Sequence, residues 1–308
     1  MDERSMAKAA VLYYHHDMTH EEVGQALGWS RVKTTRALKE ARARGLVEFV
    51  IRDAVAPFEH LERILRDRYG LTSCRVGPAF DDRGRTTSSV AKVGAESLRE
   101  FLPETGTVAV AMSTTLSEIV ETLGDLPRPE LQVASVTGSV MRASADTSSA
   151  LAFDLARHVH GSAYTVPGPL RAAPEVARVL RADPAITAAL ELAASATHLV
   201  VGIGSMEPGG GRMRDSLGAG HLDELEQAGA VGDVATRFFD VDGAPVPSGL
   251  DDELLALEFE QLTAVPQVFA VAVGAGKSTA VEALLRRHFI TDLVVDAELA
   301  RALLETGR

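Results

Sequence analysis

The chain has 308 residues, 46% of them hydrophobic and only 5% aromatic, which is enough for two domains with aliphatic cores. Its 43 acidic against 31 basic side chains give a net charge of −12, and residues 46–308 alone carry −14, so that region has no general attraction for polyphosphate. The single cysteine, Cys74, excludes an intrachain disulfide or a cysteine-rich zinc site and fits a reducing cytoplasm. Met1 leads into a charged helix rather than a signal peptide, and apolar runs such as 265–275 fall short of the roughly 20 residues that span a bilayer, so no membrane partner is expected.

In chain order, the first expected helix runs from about Asp2 to His16, with Met6, Ala9, Ala10 and Tyr13 at helical spacing. Residues 19–45, THEEVGQALGWSRVKTTRALKEARARG, then carry helix-turn-helix punctuation. Thr19 and Glu22 form a capping box, Val23, Ala26 and Leu27 an apolar stripe, and Gly28 a break. A second helix starts at Ser30 and stops at Gly45; six basic residues against one acid, Glu40, give it a local charge of +5. A basic helix on an acidic chain predicts a DNA-reading element. With Thr34, Leu38 and Ala41 turned inward, Arg31, Thr35, Arg36 and Lys39 face outward and Lys33 lies toward one flank, so the DNA-binding candidates are Ser30, Arg31, Lys33, Thr35, Arg36 and Lys39. Residues 46–52, LVEFVIR, read as the strand of a small wing, and 53–57 as a hinge. These boundaries give a winged helix-turn-helix domain over 1–56 and a second domain over 57–308.

From Phe58 the pattern alternates helix and strand. An amphipathic helix ends at Gly70, a strand lies near Ser73 to Val76, a helix covers Ser88 to Leu102, and an apolar strand occupies 107–112. Further strands are expected at Leu131 to Val136, His198 to Ile203, Val234 to Phe239, Val268 to Val273 and Asp292 to Val295. Short apolar strands alternating with helices of 10 to 15 residues argue for an α/β domain with a mostly parallel sheet covered on both faces. Ligands of such folds sit at the carboxyl ends of the strands.

Several loops there hold informative residues. Ser113, Thr114 and Thr115 at a strand-to-helix turn make an oxyanion cradle for a phosphate, unless Thr115 and Glu118 only form a capping box. VAVGAGKSTAVEALL at 271–285 fails the P-loop pattern because Val271 stands where the first glycine belongs, which argues against ATP. Lys277 nevertheless lies near a helix start, where a cation is disfavoured unless an anion offsets it; the alternative is a solvated surface lysine. In GAVGDVATRFFDVDG at 229–243, Asp233 and Asp240 bracket an apolar strand and either accept hydrogen bonds from sugar hydroxyls or serve as turn residues. GIGSMEPGGG at 202–211 lacks the third glycine of a dinucleotide motif, since Glu207 stands there, and reads as a flexible loop over the site. His15, His16 and His20 have no carboxylate or cysteine partner at metal-ligand spacing, and His158 and His160 fall on different faces of an expected helix end, so all read as structural. No metal, cofactor or catalytic residue is expected.

GWSRVKTTRALKEARARGLVEFVI resembles the helix-turn-helix of the SorC/DeoR-type bacterial sugar-responsive transcriptional regulators. GTVAVAMSTTL, GAVGDVATRFFDVDG and VFAVAVGAGKSTAVEALLRRHFITDLVVDAELARALL are similar, in the same order, to that family's effector domain. The resemblance implies a Rossmann-like domain similar to sugar-phosphate isomerases and deaminases, a phosphorylated sugar as effector, and a homodimer or homotetramer on double-stranded operator DNA. Carried across, Ser113, Thr114 and Thr115 take the phosphate, Asp233 a sugar hydroxyl and Lys277 the anionic end. Two positions depart from the family: Met112-Ser113 replaces the usual Trp-Gly, and Gly138-Ser139 replaces the Gly-Gly of the next effector-binding turn. The leading reading is a ligand-controlled regulator without catalysis. Its rival, an isomerase or deaminase-like enzyme with an accessory nucleic-acid module, lacks an evident general acid and base.

Overall fold

A computed structural model describes residues 1–47, 57–140 and 147–305. The chain divides into two compact units, Met1–Ala56 and Pro57–Arg308.

In the first unit, α1 (Glu3–Ala10) continues into a π-helical turn, Val11–His15. Two helices follow, α2 (His20–Leu27) and α3 (Arg31–Ala43). Local chemistry sets the ends. Thr19 and Glu22 close a reciprocal capping box, Ser30 accepts from the Lys33 N–H, and Gly28 and Gly45 adopt φ +67° and +69°. Met6, Ala9, Ala10, Val23, Ala37, Leu38 and Ala41 form the core. Ala26, expected in the stripe of α2, is exposed, and Gly24 takes its place inside. Residues 48–52 of the expected wing and 53–56 of the hinge lie outside the described residues, while Leu46 and Val47 form bends.

Among its described residues the second unit holds a nine-stranded sheet flanked by helices. Its strands are β1 (Ser73–Gly77), β2 (Gly106–Val110), β3 (Leu131–Ser135), β4 (Ser162–Tyr164), β5 (His198–Ser205), β6 (Gly232–Val234), β7 (Arg237–Phe239), β8 (Gln267–Ala272) and β9 (Asp292–Asp296). The parallel path runs β1-β9-β8-β5-β2-β3-β4, and the antiparallel hairpin β6–β7 pairs with the end of β5. Alternate residues feed opposite cores. On β8, Val268, Ala270 and Ala272 join one cluster and Phe269 and Val271 the other, with Val273 just beyond the strand. Both faces are therefore apolar, which accounts for the unbroken hydrophobic runs. The chain moves from β2 outward through β3 to β4, then returns beside β2 as β5 and moves the opposite way. That reversal leaves a crevice at the carboxyl ends of β2 and β5.

Four elements differ from expectation. The single strand over Val234 to Phe239 is a hairpin turning at Ala235-Thr236. Gly202–Ser205 of the expected flexible loop extend β5. The helix expected from Ser88 begins at Arg83, capped by Asp82. β4 was not foreseen.

Candidate functional site

A cavity of about 460 Å³ occupies the crevice. Ser113 is the N-cap of the Thr114–Thr122 helix, accepting from the Leu116 N–H at 3.3 Å. Thr115 and Glu118 therefore do not form a capping box; the helix starts earlier, and Glu118 accepts instead from Ser88. Ser113, Thr114 and Thr115 all line the cavity at this helix start, where backbone N–H groups lack intrahelical partners.

The floor is strand β5. Gly202 and Gly204 lie there because polar side chains rest on their backbone. A Cβ at Gly202 would be 2.4 Å from Ser113 Oγ, and one at Gly204 would be 2.0 Å from Asp233 Oδ1. Asp233 stands opposite Gly204 in the β5–β6 register, 8% exposed, on the cavity wall. Burial pushes its carboxyl up to about 6, against the opposing effects of the Lys277 charge and a hydrogen bond from the Thr236 backbone N–H. Asp240, by contrast, accepts from the N–H groups of Asp242 and Ala244 and is a turn residue.

Lys277 ends a short 3₁₀ turn, Ala275–Lys277, before the Ser278–Arg286 helix. It is half-buried rather than solvated, and its ammonium donates to the Ile203 carbonyl at 2.6 Å. Burial lowers it to about 8, with Asp233 holding it up and Arg83 pressing it further down. Its cost at a helix start is thus met partly by Asp233 and by a carbonyl, with one face left on the cavity. Further walls are the start of the Arg83–Phe101 helix, with Arg83 and Thr87, and the glycine-rich segment 209–211 with the residues that follow it, Arg212, Met213 and Asp215. Arg83 donates to the Gly209 carbonyl at 3.2 Å, tying these two walls together.

Gly138 and Ser139 are not on the cavity wall; their neighbour Thr137 is. The Gly138 N–H donates to Leu255 and the Ser139 N–H to Gly168, and a Cβ at Gly138 would be 2.3 Å from the Pro169 carbonyl oxygen. The pair joins the β3 turn to the 168–170 segment. The sequence reading missed Arg83, Thr87 and Thr236. An earlier helix start at the Asp81-Asp82 pair would have pointed to the first two.

On α3, Ser30, Arg31, Lys33, Thr35, Arg36 and Lys39 are exposed, opposite the buried Thr34, Ala37, Leu38 and Ala41. Lys33 lies over the Trp29 ring at 4.8 Å, on the flank, and the Thr35 hydroxyl is engaged with Arg31 and with His20 Nδ1. Val32, 79% exposed, sits among these cations. Of the other histidines, His158 contacts the Gly124 carbonyl and His160 contacts Asp125, and among the described residues no cluster of three His, Cys, Asp or Glu side chains is arranged for a metal.

The family model described as "Putative sugar-binding domain" matches residues 55–305. The chain belongs to this family of sugar-binding transcriptional regulators. It is 30% identical to the transcriptional regulator LsrR of Klebsiella pneumoniae, covering 98% of this chain and 93% of that protein. It is 26% identical to the deoxyribonucleoside regulator of Bacillus subtilis over 96% of each. The full-length sorbitol operon regulator SorC of Klebsiella pneumoniae shares its fold, with a TM-score of 0.79 at 23% identity over 99% of both chains. The regulators' names support a non-enzymatic role for this member of the SorC/DeoR group. Among its described residues no helix is long and apolar enough to cross a membrane.

Proposed function

We propose that the protein is a cytoplasmic, homodimeric or homotetrameric regulator of a carbohydrate-metabolism operon. It binds double-stranded operator DNA through α3 of the 1–56 unit and is controlled by a phosphorylated sugar in the 57–308 unit. The observation that carries the effector class is the convergence of a hydroxyl-rich helix start, Ser113 to Thr115, with Lys277 and Asp233 on one cavity. The helix start and the ammonium suit a phosphate, and a buried carboxylate suits a sugar hydroxyl. A volume of about 460 Å³ is in the range of small-molecule sites.

Calorimetry on the whole protein with sugar phosphates and the matching free sugars tests this. Thr114→Ala and Lys277→Ala should each weaken the phosphosugar by roughly tenfold or more while leaving operator binding of the unliganded protein intact. Equal affinity for a sugar and its phosphate would remove the phosphate from the reading.

A further inference from the structure

Thr236 has no part in the site as read from sequence, yet three observations single it out. The residue lines the cavity and is 4% exposed. Its hydroxyl oxygen is buried without a hydrogen-bond partner, one of only two such side-chain atoms among the described residues, the other being Ser205 Oγ. Its backbone is in the left-handed region, at φ +73° after Ala235 at +49°.

The last two are unfavourable for a purely structural residue. A two-residue hairpin turn with both centres at positive φ is ordinarily Asn-Gly or Gly-Gly, and a β-branched residue is among the least suited. An orphaned hydroxyl adds a desolvation cost that alanine or valine would avoid. Strain and an unpaired polar atom coinciding on a cavity wall is the pattern of a residue kept for a ligand. The same residue also donates its backbone N–H to the Asp233 carboxylate, so the turn that holds Thr236 in place also aims Asp233.

We propose that Thr236 contacts the effector through its hydroxyl and, with Asp233, reads two adjacent oxygens on it, a vicinal diol or a hydroxyl beside a carbonyl. The proposal rests on the reading of the cavity as the effector site. An ionised carboxylate only accepts, so Asp233 selects a ligand O–H; the Thr236 hydroxyl donates to the neighbouring oxygen. A step of about 120° about χ1 carries a threonine hydroxyl to another staggered position without backbone movement, so its direction can follow a bound ligand. The pair lies on β6 and its turn, on the same cavity as the Thr114 helix start and Lys277.

The test compares the full-length wild type with Thr236→Val, which keeps shape and branching, and Thr236→Ser, which keeps the hydroxyl. The probes are four- to six-carbon aldose and polyol phosphates, and inorganic phosphate. The sugar phosphate that binds wild type should lose about tenfold in affinity for Thr236→Val and be largely retained by Thr236→Ser, with inorganic phosphate unchanged. Without ligand, Thr236→Val should melt at or above the wild-type temperature. Undiminished binding by Thr236→Val overturns the proposal and leaves the effector reading standing. A melting point several degrees lower for unliganded Thr236→Val shows a structural partner for the hydroxyl and also overturns it. If no sugar phosphate binds wild type, the effector reading fails and takes this proposal with it.

Discussion

Gly202 offers the sharpest test of how the site is built. Alanine there places its Cβ 2.4 Å from Ser113 Oγ and 2.6 Å from Ser113 Cβ, with only Ser113 Cα, at 3.8 Å, in ordinary contact. Forcing in the methyl should cost about 1 to 3 kcal/mol, as overpacking does in other well-packed interiors. Displacing Ser113 also threatens its cap on the Thr114–Thr122 helix, worth about 1 kcal/mol. Against this, replacing a glycine gains roughly 0.4 to 1 kcal/mol by restricting the unfolded chain. The balance is a loss of about 2 kcal/mol, or about 4 to 8 °C in melting temperature for a unit of this size. Ser113→Gly removes both clashing atoms, and glycine replaces serine at an N-cap for only a few tenths of a kcal/mol. Thermal melts of the two single variants and the double variant should therefore be strongly non-additive, the double melting close to Ser113→Gly alone. Additive losses would mean that Ser113 does not lie on the backbone of β5.

Protonation gives a second expectation. Asp233 is held up at about 6, so its contribution to stability should fall as pH rises from the usual carboxylate range through 6; Lys277 is held down at about 8, so its cost should be relieved as pH rises from 8 toward the usual lysine range. Melts from pH 4 to 10 should thus dip between about 6 and 8, and Lys277→Met should lose the alkaline recovery; a flat alkaline limb in wild type would contradict the buried ammonium. Phosphosugar affinity should also decline above pH 8. On DNA, Arg31→Ala or Arg36→Ala should lose about 1 to 3 kcal/mol of sequence discrimination, whereas Lys39→Ala should weaken all sequences alike and lower the salt slope. Fluorescence anisotropy showing the Arg31/Arg36 double variant at wild-type operator affinity would refute this role for α3. Finally, residues 57–308 should self-associate in light scattering and residues 1–56 should not; a monomeric larger unit at micromolar concentration would refute oligomerisation through it.

The parts legible in sequence were those fixed by neighbours in the chain. Thr19 with Glu22, Gly28, Ser30 and Gly45 set helix ends through bonds spanning a few residues, and each fell where expected. The strands with unbroken apolar runs were visible because both faces of the sheet are covered. The parallel architecture and the Ser113, Asp233 and Lys277 loops followed. What escaped depends on distant partners or on missing punctuation. The β6–β7 turn carries neither glycine nor asparagine at Ala235-Thr236, so two short strands read as one. β4 is three residues, Ser162–Tyr164, without an apolar run. Arg83 meets Gly209 across 126 positions, and no local pattern records that contact.

One consequence follows from the length of β5. Its first five residues pair with β8, and its last three, Ile203 to Ser205, continue beyond and pair with β6. The hairpin carrying Asp233 is therefore bonded to the central strand of the sheet. Met206 is also tied to that side, through its N–H to Val231, but the adjoining wall, 207–211, is closed by short-range bonds, the Ser205 N–H to Gly210 and the Gly210 N–H to Glu207, and by the side chain of Arg83. Amide hydrogen exchange should divide the cavity accordingly, with the Asp233 and Val234 amides opening only with the core and those around Gly209 to Gly211 opening locally and far more often. For a molecule entering this site, the choice of ligand would then be written on a wall that hardly moves, and its rates of arrival and departure on one that does.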